Sequence, residues 1–199
     1  MQSSNDEAPP KGLLLPNPIR AVVLVGFMGA GKTSVGQELA RSLGWRFVDL
    51  DDRITARAGR SVARIFAESG EASFRAAESA ALAEFVAEMA GAAPCVLALG
   101  GGAFVQPPNQ DLLKKASLPV LWLDAPVEEL AARCSASAER PLARDLDQFR
   151  HLYEQRRARY MEADARIDTS RLSVREVAGQ IVRMMRLAPM APSAAERCG

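Results

Sequence analysis

The chain has 199 residues, enough for a single domain with a substantial hydrophobic core. Hydrophobic residues make up 48% and charged residues 25%, which is ordinary for a globular protein. The 25 Lys and Arg nearly balance the 24 Asp and Glu, so the net charge of +1 supplies no global basic field. Composition therefore argues against a nucleic-acid-binding protein and against one held on an anionic membrane.

Both ends of the chain lack hydrophobic periodicity. Residues 1–18 and 188–199 contain several prolines, and we expect both to be disordered tails around a domain at 19–187. No apolar run approaches the roughly 20 residues of a membrane span. The three cysteines are spaced for neither a zinc site nor a disulfide framework, so a cytoplasmic protein is expected.

Between the tails, short apolar runs alternate with longer amphipathic ones. Strands are predicted at 21–25, 45–48, 95–99, 119–123 and 165–168. Helices are predicted at 32–43, 61–69, 71–90, 127–134, 145–163 and 174–187, with Gly70 separating the second from the third. This alternation predicts an α/β protein of three layers, in which helices flank a five-stranded parallel sheet. Ligands of such sheets bind at the carboxyl ends of the strands.

A glycine-rich loop follows the first predicted strand. Residues 26–33 are Gly-Phe-Met-Gly-Ala-Gly-Lys-Thr, which matches the phosphate-loop pattern G-x-x-x-x-G-K-[ST]. Glycines let the backbone wrap the β- and γ-phosphates, and the following helix adds its positive N-terminal end. Lys32 neutralises phosphate oxygens, and the Thr33 hydroxyl ligates Mg²⁺. A chance glycine-rich turn is the alternative, but the strand–loop–helix context favours a P-loop NTPase-type fold that binds ATP.

Three acidic residues follow the second predicted strand. Because residues two apart on a strand point to the same side, Asp49 and Asp51 are expected to face the phosphate loop together. One carboxylate can hold Mg²⁺, directly or through water, and the other can accept a proton from the attacking hydroxyl. Asp52 is expected to point elsewhere. The alternative is that all three acids cap a helix, and the nearby phosphate loop favours the catalytic interpretation.

Three glycines follow the third predicted strand. Gly100, Gly101 and Gly102 imply a close backbone approach to a ligand, although a flexible turn would look the same. Arg75 has Glu71 four residues before it and Glu78 three after it, so both can hold its guanidinium ready to fork a carboxylate. A solvated ion pair is the alternative there.

The stretch of small and polar residues at 135–147 is predicted to be a lid. Arg140 within it could swing onto the transferring phosphate while the lid excludes water. Arg156, Arg157 and Arg159 lie on the next helix, and we expect at most one of them to touch substrate. His151 on the same helix is expected to be a surface residue.

Together these residues resemble shikimate kinase from about Val22 to about Val182. The most specific part is 59–75, Gly-Arg-Ser-Val-Ala-Arg-Ile-Phe followed by Ala-Glu-Ser-Gly-Glu-Ala-Ser-Phe-Arg, which a generic P-loop protein has no reason to carry. It is combined with the Asp49–Asp51 pair, the glycine triplet, Arg-Pro-Leu at 140–142 and an arginine and a tyrosine at 156 and 160. The resemblance implies transfer of the γ-phosphate of ATP to the 3-hydroxyl of shikimate, a step of aromatic amino acid biosynthesis, by a monomer.

The resemblance also implies roles for individual residues. The ATP phosphates would be held by Gly29, Ala30, Gly31, Lys32, Thr33 and Ser34. Mg²⁺ would be bound by Thr33 and, through water, by Asp49. Arg133 would lie against adenine, and Arg140 would be the lid arginine on the phosphates.

On the acceptor side, the resemblance implies that Asp51 binds the shikimate hydroxyls and acts as the base. Arg75 and Arg156 would grip the carboxylate, with the backbone of Gly100, Gly101 and Gly102. Phe66 and Phe74 would pack against the ring, and Glu78 would orient Arg75. The catalytic residues would be Lys32, Asp51 and Arg140.

The sequence departs from the family pattern at a few positions. Ala158 stands where a proline is frequent, and Leu172 stands where a polar adenine contact is frequent, so a contact there would come from backbone or from Arg171. Two alternatives stay open: another small-metabolite kinase such as a gluconate kinase, and a non-catalytic ligand-sensing module of the same fold. The second is disfavoured because Lys32, Thr33, Asp49 and Asp51 are all present.

Overall fold

The computed structural model of the protein describes residues 19–135 and 145–189. Arg140 and the predicted N-terminal tail therefore lie outside the described residues, as do the greater parts of the predicted lid and of the predicted C-terminal tail. The strands are β1 (Ala21–Val25), β2 (Arg46–Asp49), β3 (Cys95–Ala98), β4 (Val120–Asp124) and β5 (Ala165–Asp168). The helices are α1 (Lys32–Leu43), α2 (Leu50–Ala58), α3 (Val62–Glu88), α4 (Pro107–Lys115), α5 (Val127–Ser135), α6 (Leu146–Tyr160) and α7 (Val174–Met185).

The five strands form one parallel sheet in the order β2-β3-β1-β4-β5. The three central strands, β3, β1 and β4, are buried along their whole length because helices cover both faces, which confirms the predicted α/β class. The carboxyl ends of all five strands point to one edge of the sheet. That edge carries the phosphate loop after β1, Asp49 at the end of β2 and the glycine triplet after β3.

The five predicted strands agree with the observed ones to within one residue at each end. Two helices were not predicted. Helix α4 begins with Pro107 and Pro108, a pair that usually marks a loop but is tolerated in the first helical turn, where the missing N–H groups need no partner.

The predicted break at Gly70 is present as a kink within α3, where Gly70 has φ 76° and ψ 172°. Ser61 caps the start of that helix, accepting from Arg64 N.

The second unpredicted helix, α2, corrects the interpretation of the acidic pair. Strand β2 ends at Asp49, whose side chain accepts a hydrogen bond from Asp51 N at 3.0 Å and so caps α2. Asp51 therefore lies in the first turn of a helix, and alternation along a strand does not orient it.

Within residues 19–135 and 145–189, no helix combines the length and apolar character needed to cross a bilayer.

Helix α1 packs so closely on the sheet that Gly36 has no room for a side chain. A Cβ atom there would lie 2.5 Å from Cε2 of Phe47 and 3.4 Å from Cδ1 of Leu24. Gly36→Ala is therefore expected to lower the free energy of unfolding by about 1–3 kcal/mol, measured by urea denaturation. Gly179→Ala is the matched control, because its Cβ would meet only the guanidinium of Arg183 at 3.4 Å. The control should gain about 0.5–1 kcal/mol, and a Gly36→Ala protein as stable as wild type would contradict the close packing.

Candidate active site at the carboxyl edge of the sheet

The phosphate loop lies between β1 and α1, as the motif requires. Gly29 and Gly31 adopt left-handed backbone conformations with φ 82° and 87°, which other residues rarely adopt. Gly31 is the N-cap residue of α1 and offers no side chain to the N–H groups of the first turn. Those groups can therefore bind an anion. The Lys32 ammonium donates to the carbonyl oxygens of Gly26 at 2.9 Å and Phe27 at 3.1 Å, which holds it over the loop.

Thr33 and Asp49 meet at the entrance to the loop. The Thr33 hydroxyl donates to Oδ2 of Asp49 at 3.1 Å, while Oδ1 of Asp49 caps α2. A hydroxyl and a carboxylate are hard oxygen donors of the kind that Mg²⁺ prefers, and this metal usually takes only one or two ligands from the protein. The described residues contain no cluster of three or more His, Cys, Asp or Glu that could hold a metal ion.

The glycine triplet is where three functional side chains converge. A Cβ atom at Gly100 would lie 2.8 Å from Oδ1 of Asp51, and one at Gly101 would lie 3.4 Å from a guanidinium nitrogen of Arg156. A Cβ atom at Gly102 would lie 2.1 Å from a guanidinium nitrogen of Arg75. Successive Cα atoms are about 3.8 Å apart, so the three side chains lie close to one another after the end of β3. None of the three glycines has a positive φ, so the close approach, not a special backbone conformation, excludes a side chain.

Arg75 is held between two glutamates, as its spacing predicts. Its guanidinium donates to Glu78 at 2.6 Å and to Glu71 at 3.0 Å. Burial alone would lower the pKa of Arg75, but these carboxylates raise it, so the arginine stays charged. Burial raises the pKa of Glu78, which is 1% exposed, and the nearby Asp51 adds to that rise while Arg75 opposes it. The side-chain amide of Gln106 donates to the same Glu78 oxygen at 3.3 Å.

Two aromatic rings lie beside Arg75. Phe66 and Phe74 have ring centroids 4.5 Å apart, and the Arg75 guanidinium lies 5.8 Å and 5.5 Å from their centres. These contacts restrict the guanidinium further. They also place the partly exposed ring of Phe66 next to the Arg75 guanidinium.

Arg156 reaches the site from α6. Its guanidinium lies 5.7 Å from the ring centre of Phe27, a phosphate-loop residue, and beside Gly101. The side chains of Arg157 and Arg159 are exposed, as is His151, which contacts Gln155 on the same helix. Of the arginines on α6 named from the sequence, Arg156 alone lies against the triplet in the described structure.

Arg133 bridges the phosphate loop and the end of β5. It donates to the Thr169 hydroxyl at 3.1 Å, to the Thr169 carbonyl at 2.8 Å and, at 3.5 Å, to the Gly29 carbonyl. Its proposed contact with adenine stays a prediction. Thr169 was not singled out from the sequence, although a polar residue directly after a buried strand is a usable signal.

The sequence indicates Tyr160 only as part of a motif with Arg156. Its hydroxyl donates to the Gly101 carbonyl at 2.5 Å, which holds the triplet against α6. Its spacing of four residues from Arg156 on a helix is a signal that both face the same side. The role of Gln106 has no comparable signal, because nothing local links it to Glu78.

The chain is similar to known proteins in sequence and in structure. The family model for shikimate kinase matches residues 28–186. A shikimate kinase of Geobacter metallireducens is 41% identical over 169 residues, covering 83% of this chain and 92% of the relative. The solved shikimate kinase of Acinetobacter baumannii, in complex with shikimate, is 35% identical with a TM-score of 0.76, covering 84% of this chain and 93% of that one.

A gluconokinase of Sinorhizobium meliloti is also similar in structure. It is 18% identical with a TM-score of 0.55 and covers 85% of this chain and 94% of its own, a likeness that extends to the fold alone. By contrast, the family model for shikimate kinase matches most of the domain, and a relative from that family is 41% identical in sequence. The chain therefore belongs to the shikimate kinase family.

Proposed function

We propose that the protein transfers the γ-phosphate of ATP to the 3-hydroxyl of shikimate, giving 3-phosphoshikimate and ADP. The observation that carries the proposal is the convergence of Asp51, Arg156 and Arg75 on three successive glycines. The same glycines adjoin the phosphate loop, because a Cβ atom at Gly101 would lie 3.6 Å from the Gly26 carbonyl oxygen. One carboxylate and two arginines thus lie near the phosphate loop, which supports the proposal.

The acceptor is held at its acidic end. Arg75 and Arg156 present guanidinium groups that can fork a carboxylate, and the lack of side chains at Gly101 and Gly102 lets both guanidinium groups lie against the backbone. Phe66, which is half-buried and packs on the buried Phe74, offers an apolar surface that suits a ring better than an extended polyol. These contacts would fix the acceptor hydroxyl opposite the phosphate loop, which converts a bimolecular reaction into one between oriented groups.

The chemical step needs a proton acceptor and charge stabilisation. Asp51 takes the proton from the attacking hydroxyl of the acceptor. The hydroxyl oxygen forms a bond to the γ-phosphorus while the bond between the γ-phosphorus and the ADP oxygen breaks. Lys32 and the first-turn N–H groups of α1 stabilise the charge on the phosphoryl oxygens. Thr33, with Asp49 through water, would hold Mg²⁺, which would supply positive charge to stabilise the transferring phosphate. Arg140 remains the predicted lid arginine, and it lies outside the described residues.

The remaining proposals concern the setting of the enzyme. A monomer stays a prediction from the family resemblance. A cytoplasmic location, and the absence of nucleic-acid and membrane partners, stay predictions from composition and charge. A ligand-sensing module without turnover is the second candidate, and no residue of the phosphate loop or the acidic pair favours it.

A coupled assay of ADP release separates these candidates. The purified chain is given ATP and Mg²⁺ with shikimate, gluconate or a nucleoside monophosphate. Turnover on shikimate is expected, with at most traces on the other acceptors, and removal of Mg²⁺ by EDTA should abolish it. Robust turnover on gluconate with none on shikimate would overturn the acceptor, while shikimate binding by calorimetry without turnover would favour the sensing module.

A further inference from the structure

Helix α6 carries Arg156 but has few apolar contacts to hold it. Only three of its 15 residues are buried, namely Phe149, Tyr153 and Tyr160. Two of the three are tyrosines, and each hydroxyl donates a hydrogen bond to a residue at the carboxyl edge of the sheet. Because so little apolar surface is buried, these two hydrogen bonds have a large share in determining how α6 is rotated about its axis.

The hydrogen bond of Tyr153 ends on a rigid acceptor. Its hydroxyl donates to Oδ1 of Asp124, the last residue of β4, at 3.0 Å, and Asp124 is 1% exposed. The other carboxylate oxygen accepts from Nε of Arg166 at 2.9 Å, and the main-chain carbonyl accepts from Thr169 N at 2.8 Å. Asp124 is therefore held by two contacts that do not involve Tyr153, and it cannot follow Tyr153 if the helix turns. Burial raises the pKa of Tyr153 to about 12, so its hydroxyl remains a donor at neutral pH.

Tyr153 and Arg156 also share a contact. They are three residues apart on α6 and therefore lie on the same face. Phe27 of the phosphate loop is packed edge-on by Tyr153, with ring centroids 5.6 Å apart, and the Arg156 guanidinium lies 5.7 Å from its centre. A rotation of α6 that broke the Tyr153 hydrogen bond would move Arg156 across the same ring and away from Gly101.

We propose that Tyr153 is a positioning residue for acceptor binding, which uses Asp124 to hold α6 in the rotation that presents Arg156 to the acceptor carboxylate. The inference rests on the proposed function, since it takes Arg156 as a carboxylate ligand. It assigns no contact between Tyr153 and either substrate. Tyr160, which bonds directly to the triplet, fixes the other end of the same helical face.

Tyr153→Phe tests the proposal because it removes only the hydroxyl and keeps the ring against Phe27. KM for shikimate is expected to rise about fivefold, since a guanidinium that samples several orientations binds the carboxylate less well. KM for ATP should change less than twofold, because α1 and the phosphate loop keep their contacts. Ile181→Val, a buried truncation in α7, is the control for lost stability and should lower Tm while leaving both KM values unchanged.

A double-mutant cycle with Arg156→Lys shows whether Tyr153 acts through Arg156. In that background the forked carboxylate contact is already lost, so Tyr153→Phe should change KM for shikimate less than twofold. An equal effect in both backgrounds, or a wild-type KM in Tyr153→Phe itself, would overturn the proposal. If Tyr153→Phe is too unstable to assay, Arg166→Gln loosens Asp124 from its other side; a raised KM for shikimate supports the proposal and an unchanged one contradicts it.

The wild-type assay keeps the two proposals separable. Turnover of the unaltered chain on shikimate tests the proposed function alone. Should the wild type prefer another carboxylate acceptor, the cycle is measured with that acceptor. The inference about Tyr153 then fails only if its effect does not depend on Arg156.

Discussion

Asp51→Asn is expected to lower kcat on shikimate by about 10²–10⁴-fold, because the attacking hydroxyl loses its proton acceptor. The amide has the shape of the carboxylate, so the acceptor and ATP should still bind with KM values near those of wild type. The fold should survive, since the substitution also removes the repulsion between Asp51 and the buried Glu78. The measurement is the coupled ADP-release assay under saturating substrates, with Tm measured in parallel.

Asp52→Asn is the matched control for this variant. Asp52 is the next residue of α2, and it is exposed, so the same chemical change falls outside the site. It should keep kcat within about twofold and lose at most about 0.3–1 kcal/mol of stability through the helix dipole. Equal turnover by Asp51→Asn and wild type, or no turnover by either, would remove the catalytic role of Asp51.

Gly102→Ala is expected to raise KM for shikimate by about 10–150-fold. This corresponds to the loss of one charged hydrogen-bonded contact, worth about 1.5–3 kcal/mol. The added Cβ would lie 2.1 Å from one guanidinium nitrogen of Arg75 and 2.6 Å from the other, so the guanidinium must leave the triplet. The backbone itself can accept alanine, because Gly102 has no positive φ. Gly179→Ala serves again as the control and should leave both KM values unchanged.

The same variant should acquire a characteristic pH dependence of stability. Burial already raises the pKa of Glu78, and displacement of Arg75 removes the hydrogen bond and the charge that oppose this rise. A carboxyl group with a raised pKa in the folded state contributes stability that is lost as pH rises through that pKa. Both proteins should lose stability as pH rises above 4.5, the ordinary glutamate value, because the pKa of Glu78 is raised in each. Gly102→Ala should lose stability relative to wild type only between the raised pKa of Glu78 in wild type and its higher pKa in the variant. Urea denaturation at several pH values measures this, and a pH-independent difference, or a wild-type KM for shikimate, would contradict the contact between Gly102 and Arg75.

The phosphate loop could be predicted in full from the sequence because its function depends on the backbone of consecutive residues. Gly29 and Gly31 are needed for left-handed turns, and Lys32 and Thr33 follow at fixed positions of the next helix. The ion pairs of Arg75 were predictable for the same reason, since helical spacing brings Glu71 and Glu78 to it without reference to the rest of the fold. The buried strands were predictable because central strands of a parallel sheet are apolar on both faces.

Asp51 shows where local reasoning failed. Strand alternation was expected to aim it, but Asp49 ends the strand by capping α2, and Asp51 reaches Gly100 from a helix. The two assignments place Asp51 in the same region for different reasons. Helix capping was the alternative that the sequence offered, and Asp is a favoured N-cap residue. The choice between strand and helix depended on whether Asp49 in fact accepts the hydrogen bond from Asp51 N, which the sequence does not decide.

By itself the sequence determined the class of fold, the phosphate loop and the family to be expected, since all of these depend on residues close together along the chain. Only the tertiary structure decided that Asp51, Arg156 and Arg75 meet at Gly100, Gly101 and Gly102, and that Tyr153 bonds to Asp124. Those contacts join α2, α3 and α6 to the ends of β3 and β4. They depend on the order of strands in the sheet and on the rotation of each packed helix, which are properties of the whole folded domain.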